Sequence, residues 1–215
     1  MKQARLDQLA DGIFAIVMTV LVFNITIPSF SGIVSEETLL RSLVSISPVF
    51  LSYLLSFSLV FTYWRSHHFI ASILAKNIDT RFSNLNAIFF FFVGLVPFSS
   101  HLLGSYSYSK TAIIFFALNV ILIGFSLFRM RQYVIRSETI ENMSITKDEN
   151  KRANMRILFP VGAAAFAVLV SFFSSNIAII LFTLAILFSI SDNSAKRFFS
   201  FLDFFHKKGV RIEMK

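Results

Sequence analysis

The chain alternates between long apolar runs and shorter polar stretches. A helix needs about 20 residues to cross the ~30 Å hydrocarbon core of a bilayer. Six runs reach or approach that length, and none shows the ten-residue in/out alternation of a membrane barrel strand. The pattern predicts an all-α integral membrane protein with six transmembrane helices per subunit, at residues 12–28, 43–64, 85–103, 111–128, 157–173 and 177–191.

The stretches between these runs predict one membrane domain covering residues 1–215. The last two runs are separated only by Ser174, Ser175 and Asn176, which indicates a helical hairpin. Residues 129–156 are polar and mixed in sign, and predict a cytoplasmic loop that extends the fourth helix before turning back at 142–150. A polar tail follows at 192–215. The N-terminus lacks a cleavable-signal pattern, so Met1 is expected to be the mature start.

Composition supports the membrane interpretation. Hydrophobic residues make up 55% of the chain, charged residues 15%, and 28 of the 215 residues are phenylalanine. A soluble domain carries roughly a quarter charged residues, and 215 residues could not hide this much phenylalanine from water. The absence of cysteine excludes disulfides, thiolate metal sites and cysteine nucleophiles.

The basic residues predict the orientation of the chain. A net charge of +8 on a soluble protein would suggest nucleic acid as a partner, but here the lysines and arginines lie between apolar runs. With both termini inside, eighteen of the twenty lie on the inner side, leaving only Arg41 and Lys110 outside. We therefore predict a multi-pass protein of the cell membrane, N-in and C-in, in contact with the lipid bilayer and not with nucleic acid.

Residue patterns for enzyme chemistry are absent from the sequence. His67 and His68 are adjacent and cannot share a helix face as a zinc pair would. No Ser-His-Asp order, phosphate-binding loop or paired intramembrane carboxylates can be identified. The sequence predicts no enzyme, no cofactor and no metal site.

The span centres contain no Asp, Glu, Lys or Arg, which ion-coupled transporters usually carry near the midplane. No span carries the arginine repeat of a voltage sensor, and the TVGYG filter sequence is also missing. Three functional classes remain open. They are a pore without charged lining, a secondary transporter of a small solute, and a non-conducting membrane scaffold.

The first apolar run is preceded by a short charged segment that contains Arg5 and Asp11, which we call the foot of the helix. On a 3.6-residue period one stripe collects five positions: Ile16, Thr19, Val20, Phe23 and Ile27. Any buried transmembrane helix shows such a stripe, so spacing alone does not separate a pore face from a packing face. Asp11 is equally well explained as the N-cap of the helix. Arg5 is equally well explained as one of the basic residues that accumulate on the inner side of the membrane.

Two motifs resemble those of the transmembrane protein 175 family of potassium channels. Residues 5–12 (RLDQLADG) and 14–22 (FAIVMTVLV) resemble its first-helix signature, Arg-x-x-x-Phe-Ser-Asp-Gly followed by Ala-Ile-x-x-Thr-Leu. Residues 63–68 (YWRSHH) are similar to its second signature, an aromatic-Trp-x-x-His stretch. Leu9 and Ala10 stand where the family has Phe and Ser.

The resemblance implies a potassium-preferring cation channel that conducts passively through a hydrophobic constriction. It implies a homotetramer in which the first helix of each subunit lines a central pore, with K⁺ only transiently bound. The tightest ring falls on Ile16, and the pore face carried over turn by turn becomes Ile16, Thr19, Val20 and Phe23. Phe23 is larger than the aliphatic residue that the family has in its uppermost layer.

The same resemblance suggests a network at the foot of the pore helix. Trp64 and His67 can donate N–H groups to the Asp11 carboxylate, while Arg5 offers several further donors. Gly12 would allow another helix to approach closely. Outside the membrane, Glu36 and Glu37 either concentrate cations at the mouth or belong to an ordinary solvated loop.

Overall fold

The computed structural model describes residues 3–30, 32, 34–141 and 146–190. Over these residues the chain is helical, which confirms the predicted all-α class. The predicted tail at 192–215 and part of the predicted turn at 142–150 lie outside them. The helices are α1 Gln3–Val20, α2 Glu36–Ser45, α3 Ser47–His68, α4 Thr80–Gly94, α5 Val96–Ser105, α6 Lys110–Arg136, α7 Lys147–Ser171 and α8 Ser175–Ile190. A 3₁₀ turn (Leu21–Asn24) extends α1, and a π turn (Phe69–Leu74) extends α3.

Five helical stretches in the described residues are long and apolar enough to cross a membrane. They are Gln3–Asn24, Ser47–Leu74, Thr80–Ser105, Lys110–Arg136 and Glu149–Ser171. The sixth predicted run corresponds to a shorter apolar helix, Ser175–Phe188. The amphipathic helix α2 was not predicted. It begins where the Ser35 side chain accepts a hydrogen bond from the Thr38 amide, and it ends just before α3.

Residues 129–156, predicted as a loop, are mostly helical. The helix α6 continues to Arg136, as the predicted extension of the fourth helix implied, and α7 already begins at Lys147. A capping box sets that start, because the Thr146 hydroxyl accepts from the Glu149 amide and the Glu149 carboxylate accepts from the Thr146 amide.

The third predicted span consists of two helices that meet at Leu95. Pro97 lies in the first turn of α5, where its missing N–H does no harm, but its ring cannot be accommodated inside a continuous helix. Amide side chains bind carbonyls at the break. Asn119 of α6 donates to the Phe92 carbonyl at 3.1 Å, and Asn24 donates to the Pro97 carbonyl at 3.1 Å.

Contacts at the two ends of the bundle join connecting segments that are distant in the sequence. At one end, the Ser175 hydroxyl donates to the Tyr108 carbonyl at 3.0 Å, which joins the start of α8 to the turn before α6. At the other end, the segment between the π turn and α4 is clasped to the segment after α6. There the Lys76 amide donates to the Glu141 carbonyl at 2.9 Å, and the Asn77 side chain donates to the Thr139 carbonyl at 3.0 Å.

The contact between α6 and α7 combines a glycine with a buried cation. A Cβ added at Gly124 would lie 2.2 Å from the Val161 side chain and 2.9 Å from the Tyr63 hydroxyl, so only glycine allows this approach. Closer to the end of α6, the fully buried guanidinium of Arg131 donates to Asn154 at 2.6 Å and to Asn150 at 2.7 Å. These amide oxygens compensate for the water that the guanidinium lost.

We expect Gly124→Ala to lower the free energy of unfolding by about 1–3 kcal/mol, because an added methyl overpacks the helix contact. Gly162→Ala on α7 is the matched control, since nothing lies within 4 Å of its added Cβ. That change should be neutral or stabilising by up to ~1 kcal/mol. Thermal unfolding in detergent measures both, and equal effects would contradict the close contact.

A second expectation concerns acid stability. Burial alone would raise the pKa of Asp79, but hydrogen bonds from the Tyr133 hydroxyl, the Phe82 amide and the Thr139 hydroxyl hold it below the ordinary value of 3.8. The unfolded chain therefore binds a proton more readily than the folded chain. The stability contributed by Asp79 is fully present above the ordinary pKa and is lost as pH falls through the folded-state pKa.

Asp79→Asn should be less stable than the unchanged protein at neutral pH and should lose less stability on acidification. Thermal unfolding across an acid pH series checks this expectation. Glu138→Gln, in the same clasp region, is the control and should keep the original dependence on pH. If Asp79→Asn and the unchanged chain lose stability in parallel, these hydrogen bonds do not carry the effect.

Candidate pore helix and its charged foot

The helix α1 has one face packed into the subunit and one face uncovered. Its buried positions follow the spacing of one helix face and pack against the core of α3 and α4: Leu6, Ala10, Phe14, Val17 and Leu21. Because this stripe faces inward, the residues on the opposite side of α1 are presented outward from the subunit.

The four residues of the predicted pore face all lie on the uncovered side. Ile16 is 64% exposed and Phe23 is 76% exposed, and Val20 and Thr19 are also exposed. The 3₁₀ turn brings Phe23 into line with Val20, because side chains three residues apart eclipse in that geometry. Ile27, which the 3.6-residue period put on the same stripe, follows the end of the helix and is outside its register.

Thr19 is the one hydrogen-bonding side chain among these four. Its hydroxyl lies 2.9 Å from the carbonyl oxygens of both Ala15 and Ile16, so its proton is donated to the backbone of its own helix. The lone pairs of the hydroxyl oxygen consequently remain available on the exposed side. An oxygen that accepts but does not donate suits contact with a cation.

At the foot of α1, the structure brings Asp11 and Trp64 together. The Trp64 indole Nε1 donates to Asp11 Oδ1 at 2.9 Å. The indole is held in place by ring contacts along α3, with centroid distances of 5.6 Å to Phe61 and 6.1 Å to His68. One hydrogen bond therefore links the foot of α1 to the end of α3.

His67 does not share in this hydrogen bond, although the sequence suggested that it would donate to Asp11. It is 2% exposed, and its Nε2 lies 2.7 Å from the Asn86 Oδ1 on α4. Its ring stacks on Phe89 with centroids 5.2 Å apart. Three residues turn a helix by about 300°, which directs His67 towards the α4 side rather than to the side of Trp64.

Arg5 and Gly12 are both exposed on the subunit. Arg5 makes no hydrogen bond or ion pair with the residues that the structure describes. No atom lies within 4 Å of a Cβ added at Gly12, so no described helix of the same subunit uses the close approach that Gly12 permits.

Sequence reasoning missed three residues that hold this region. The Gln3 side chain donates to the Ala71 carbonyl at 2.7 Å and to the Ala75 carbonyl at 2.9 Å, at the π turn. Asp7 accepts from the Ser72 hydroxyl at 3.0 Å, and Asn86 binds His67. The available signals were the Asn86 amide directly before the apolar run of α4 and the spacing of Asp7 one turn before Asp11.

The outer acidic pair lies at the start of α2. Glu36 and Glu37 are exposed, and Glu37 forms an exposed 2.6 Å ion pair with Arg41 one turn later. An exposed pair of this kind contributes little to stability. Within the described residues, no group of three or more His, Asp or Glu side chains is placed to hold a metal ion.

The chain is similar to proteins that are known as potassium channels. Residues 5–97 match the family model described as endosomal/lysosomal potassium channel TMEM175. This segment contains α1 to α4 and both motifs. A potassium channel of Chamaesiphon minutus is 28% identical over 194 residues, covering 88% of this chain and 95% of the relative. A potassium channel of a Chryseobacterium species is 26% identical over 139 residues, covering 64% and 68%.

A solved structure is also similar. The crystal structure of a lysosomal potassium-selective channel TMEM175 homolog from Chamaesiphon minutus superposes with a TM-score of 0.73 at 26% identity. The match covers 87% of this chain and 95% of that one. The resemblance to the transmembrane protein 175 family, inferred from the two motifs, is therefore confirmed.

The two hydrogen bonds near the foot should differ in their importance for stability. Asn86→Leu leaves the buried His67 nitrogen unpaired and should lower the free energy of unfolding by about 1–3 kcal/mol. Trp64→Phe keeps an aromatic ring and removes one exposed hydrogen bond, so the loss should be ~1 kcal/mol or less. Thermal unfolding of both variants measures these two losses of stability. A larger loss for Trp64→Phe would show that the foot, and not the His67–Asn86 pair, stabilises the bundle.

Proposed function

We propose that the protein is a potassium-preferring cation channel that conducts passively through a hydrophobic constriction formed by the first helix of four subunits. The observation that carries this proposal is the uncovered face of α1, where Ile16, Thr19, Val20 and Phe23 are exposed together. The chain is similar to proteins named potassium channels over most of its length. Channels of this kind are not enzymes, and the proposal needs no cofactor.

The proposed assembly is a homotetramer in the cell membrane. The uncovered residues of α1 would face the copies of α1 in neighbouring subunits, and Gly12 would permit close contact between chains. Arg5, which has no partner among the described residues of its own subunit, would then reach a neighbour or the ion entrance. A symmetric closed ring is the usual solution for identical subunits.

In the proposed topology each subunit crosses the membrane six times, N-in and C-in, with α8 as the last crossing. Two observations support successive spans that cross in alternating directions. The Ser175–Tyr108 contact puts the α7–α8 turn beside the α5–α6 turn at one end. The clasp of 75–77 with 139–141 puts the α3–α4 and α6–α7 connections together at the other end.

The proposed gate is a ring of four Ile16 side chains. An ion entering a narrow apolar ring must lose much of its hydration, which the ring does not replace, so the passage empties readily of water. Potassium loses its hydration at a lower free-energy cost than sodium, so such a neck favours potassium modestly. Thr19 would offer hydroxyl oxygens one turn away from Ile16, with Val20 and then Phe23 lining the wider outer part.

The foot network would hold α1 at a fixed position relative to α3. Trp64 binds Asp11, and Gln3 and Asp7 bind the π turn, so the first three turns of α1 are attached at several points. A pore lined by apolar side chains has no ion-binding cage to keep it open. We therefore assign its width to these contacts at the foot.

The test is ion flux through the purified protein in liposomes with a potassium gradient, after its mass in mild detergent has been determined. A channel gives flux that follows the membrane potential without a coupled ion, from particles of four chains. Saturable flux with fixed coupling would establish a transporter instead. If the folded protein gave no flux, a non-conducting scaffold would be the remaining function. A stable monomer would refute the proposed tetramer.

Ile16→Asn is expected to raise conductance and to lower discrimination between potassium and sodium, because four amide groups wet the constriction. Met18→Asn is the control, since Met18 is partly buried and packs against the core on another side of α1. That change should reduce stability without changing ion preference. Phe23→Ala should have the weaker effect on flux, because the outer ring stays hydrated.

Single-channel recordings or flux with each cation measure these variants. The assignment of the pore face is refuted if Ile16→Asn leaves conductance and ion preference unchanged while Met18→Asn alters both.

A further inference from the structure

A cleft of about 850 Å³ lies between α4 and α6, at the end of the bundle where α4 begins and α6 ends. Three arginines from the two helices line it, together with three apolar side chains: Arg81, Arg129 and Arg136 with Leu85, Phe125 and Phe128. This site is separate from the uncovered face of α1, and the channel proposal makes no use of it.

The cleft changes from basic to apolar along its length. On α6, Phe125, Arg129 and Arg136 follow one another at i, i+4 and i+11, so they share a face over a rise of about 16 Å. On α4, Leu85 lies one turn further into the bundle than Arg81. Both walls therefore carry positive charge at the end of the helices and apolar side chains towards the middle of the spans.

The arginines that line the cleft have N–H donors without a hydrogen-bond partner among the described residues. The Arg81 guanidinium lies 5.1 Å from the centroid of the Tyr133 ring, and the Arg129 guanidinium lies 5.9 Å from that of Phe125. Neither these two nor Arg136 makes a hydrogen bond or ion pair with any described residue. A guanidinium presents five N–H donors in a fork that suits phosphate oxygens.

Nearby carboxylates offset this charge only in part. Asp79, two residues before Arg81, keeps its negative charge but directs its oxygens to Tyr133, Thr139 and the Phe82 amide. Among the described residues that line the cleft, Glu138 is the one acidic residue, against three arginines. The cleft therefore retains net positive charge and favours an anion.

We propose that this cleft binds an anionic phospholipid, with the phosphate held by Arg81, Arg129 and Arg136 and an acyl chain lying along Phe125, Phe128 and Leu85. A free phosphate would use only the basic end and would make no contact with Phe125, which is 57% exposed on the subunit. A lipid matches both ends, because its phosphate lies at the level of the helix ends and its chains lie at the level of the spans. Bound there, it bridges the two helices beside the clasp of 75–77 with 139–141.

The test is binding of phosphatidylglycerol to the intact, detergent-purified protein, measured by native mass spectrometry and by the shift in the thermal unfolding midpoint. Phosphatidylcholine, glycerophosphoglycerol and inorganic phosphate are the comparison ligands. We expect phosphatidylglycerol to bind and to raise the midpoint, and the three others to do so weakly. The double variant Arg129→Gln/Arg136→Gln should bind phosphatidylglycerol on the order of tenfold more weakly.

Two further variants separate this site from general charge effects. Arg152→Gln removes an exposed arginine of α7 outside the cleft and should leave lipid binding unchanged. Arg129→Lys/Arg136→Lys keeps the charge but removes the guanidinium fork, and should bind with intermediate affinity. This second pair also keeps the test decisive if the glutamine variant does not fold.

Equal binding of phosphatidylglycerol and phosphatidylcholine by the unchanged protein would overturn the proposal. Full protection by inorganic phosphate or by glycerophosphoglycerol would overturn the assignment to a lipid, because neither carries an acyl chain. An Arg152→Gln variant that loses as much binding as the cleft variants would show that net charge, and not this cleft, attracts the lipid.

Discussion

Hydrocarbon offers no hydrogen bonds, so each polar group within a membrane-spanning segment must find its partner inside the protein. The described residues meet this requirement almost throughout. Thr62 and Ser66 donate to carbonyls one turn earlier in α3, and Tyr63 donates across to the Val120 carbonyl. Among the buried side-chain polar atoms that the structure describes, Ser56 Oγ and Arg131 Nε are left without a partner.

Against this background, the polar groups left uncovered become informative. Within one subunit, the exposed side of α1 carries Arg5, Asp11 and Thr19, on a helix whose other side is fully packed. Lipid would be a poor environment for the two charged groups, Arg5 and Asp11. Neighbouring subunits around a water-filled path, as in the proposed channel, would be a suitable one. The cleft between α4 and α6 follows the same logic, because its unpaired arginines need an anion at the level of the headgroups.

The contacts at the end of the bundle where α1 and α4 begin connect these two surfaces. The π turn after α3 receives the Gln3 side chain from α1, and the segment that follows it is clasped to the segment after α6. Asp79 lies in this clasp and also caps α4, the helix that supplies Arg81 to the cleft. The foot of the proposed pore helix and the proposed lipid cleft therefore belong to one hydrogen-bonded region.

Much of the architecture could be predicted from the order of residues alone. Long apolar runs predict helices because only a helix satisfies its own backbone in hydrocarbon, and all six predicted runs contain helices in the structure. Asp11 precedes the first apolar run, and Trp64 lies at the end of the second run, in the motif at 63–68. These two positions predicted a polar contact, and the structure brings Asp11 and Trp64 together. Gly94 and Pro97 made the third span a candidate for a broken helix, and the structure has the break between them, at Leu95. The end of the first helix at Asn24 was not predicted, because hydropathy does not show where a helix ends inside an apolar run.

Tertiary structure alone decided which faces are covered and which partners meet. Every face of a spanning helix is apolar whether it meets lipid or protein, so periodicity could not tell whether Ile16 or Met18 is turned outward from the subunit. His67 binds Asn86 and not Asp11 because the rotation of α3 directs it towards α4. Arg81 and Arg129 line one cleft although 48 positions separate them in the sequence, because α4 and α6 lie side by side. These outcomes depend on the rotation and neighbours of each helix, which the one-dimensional pattern of apolar and polar residues does not contain.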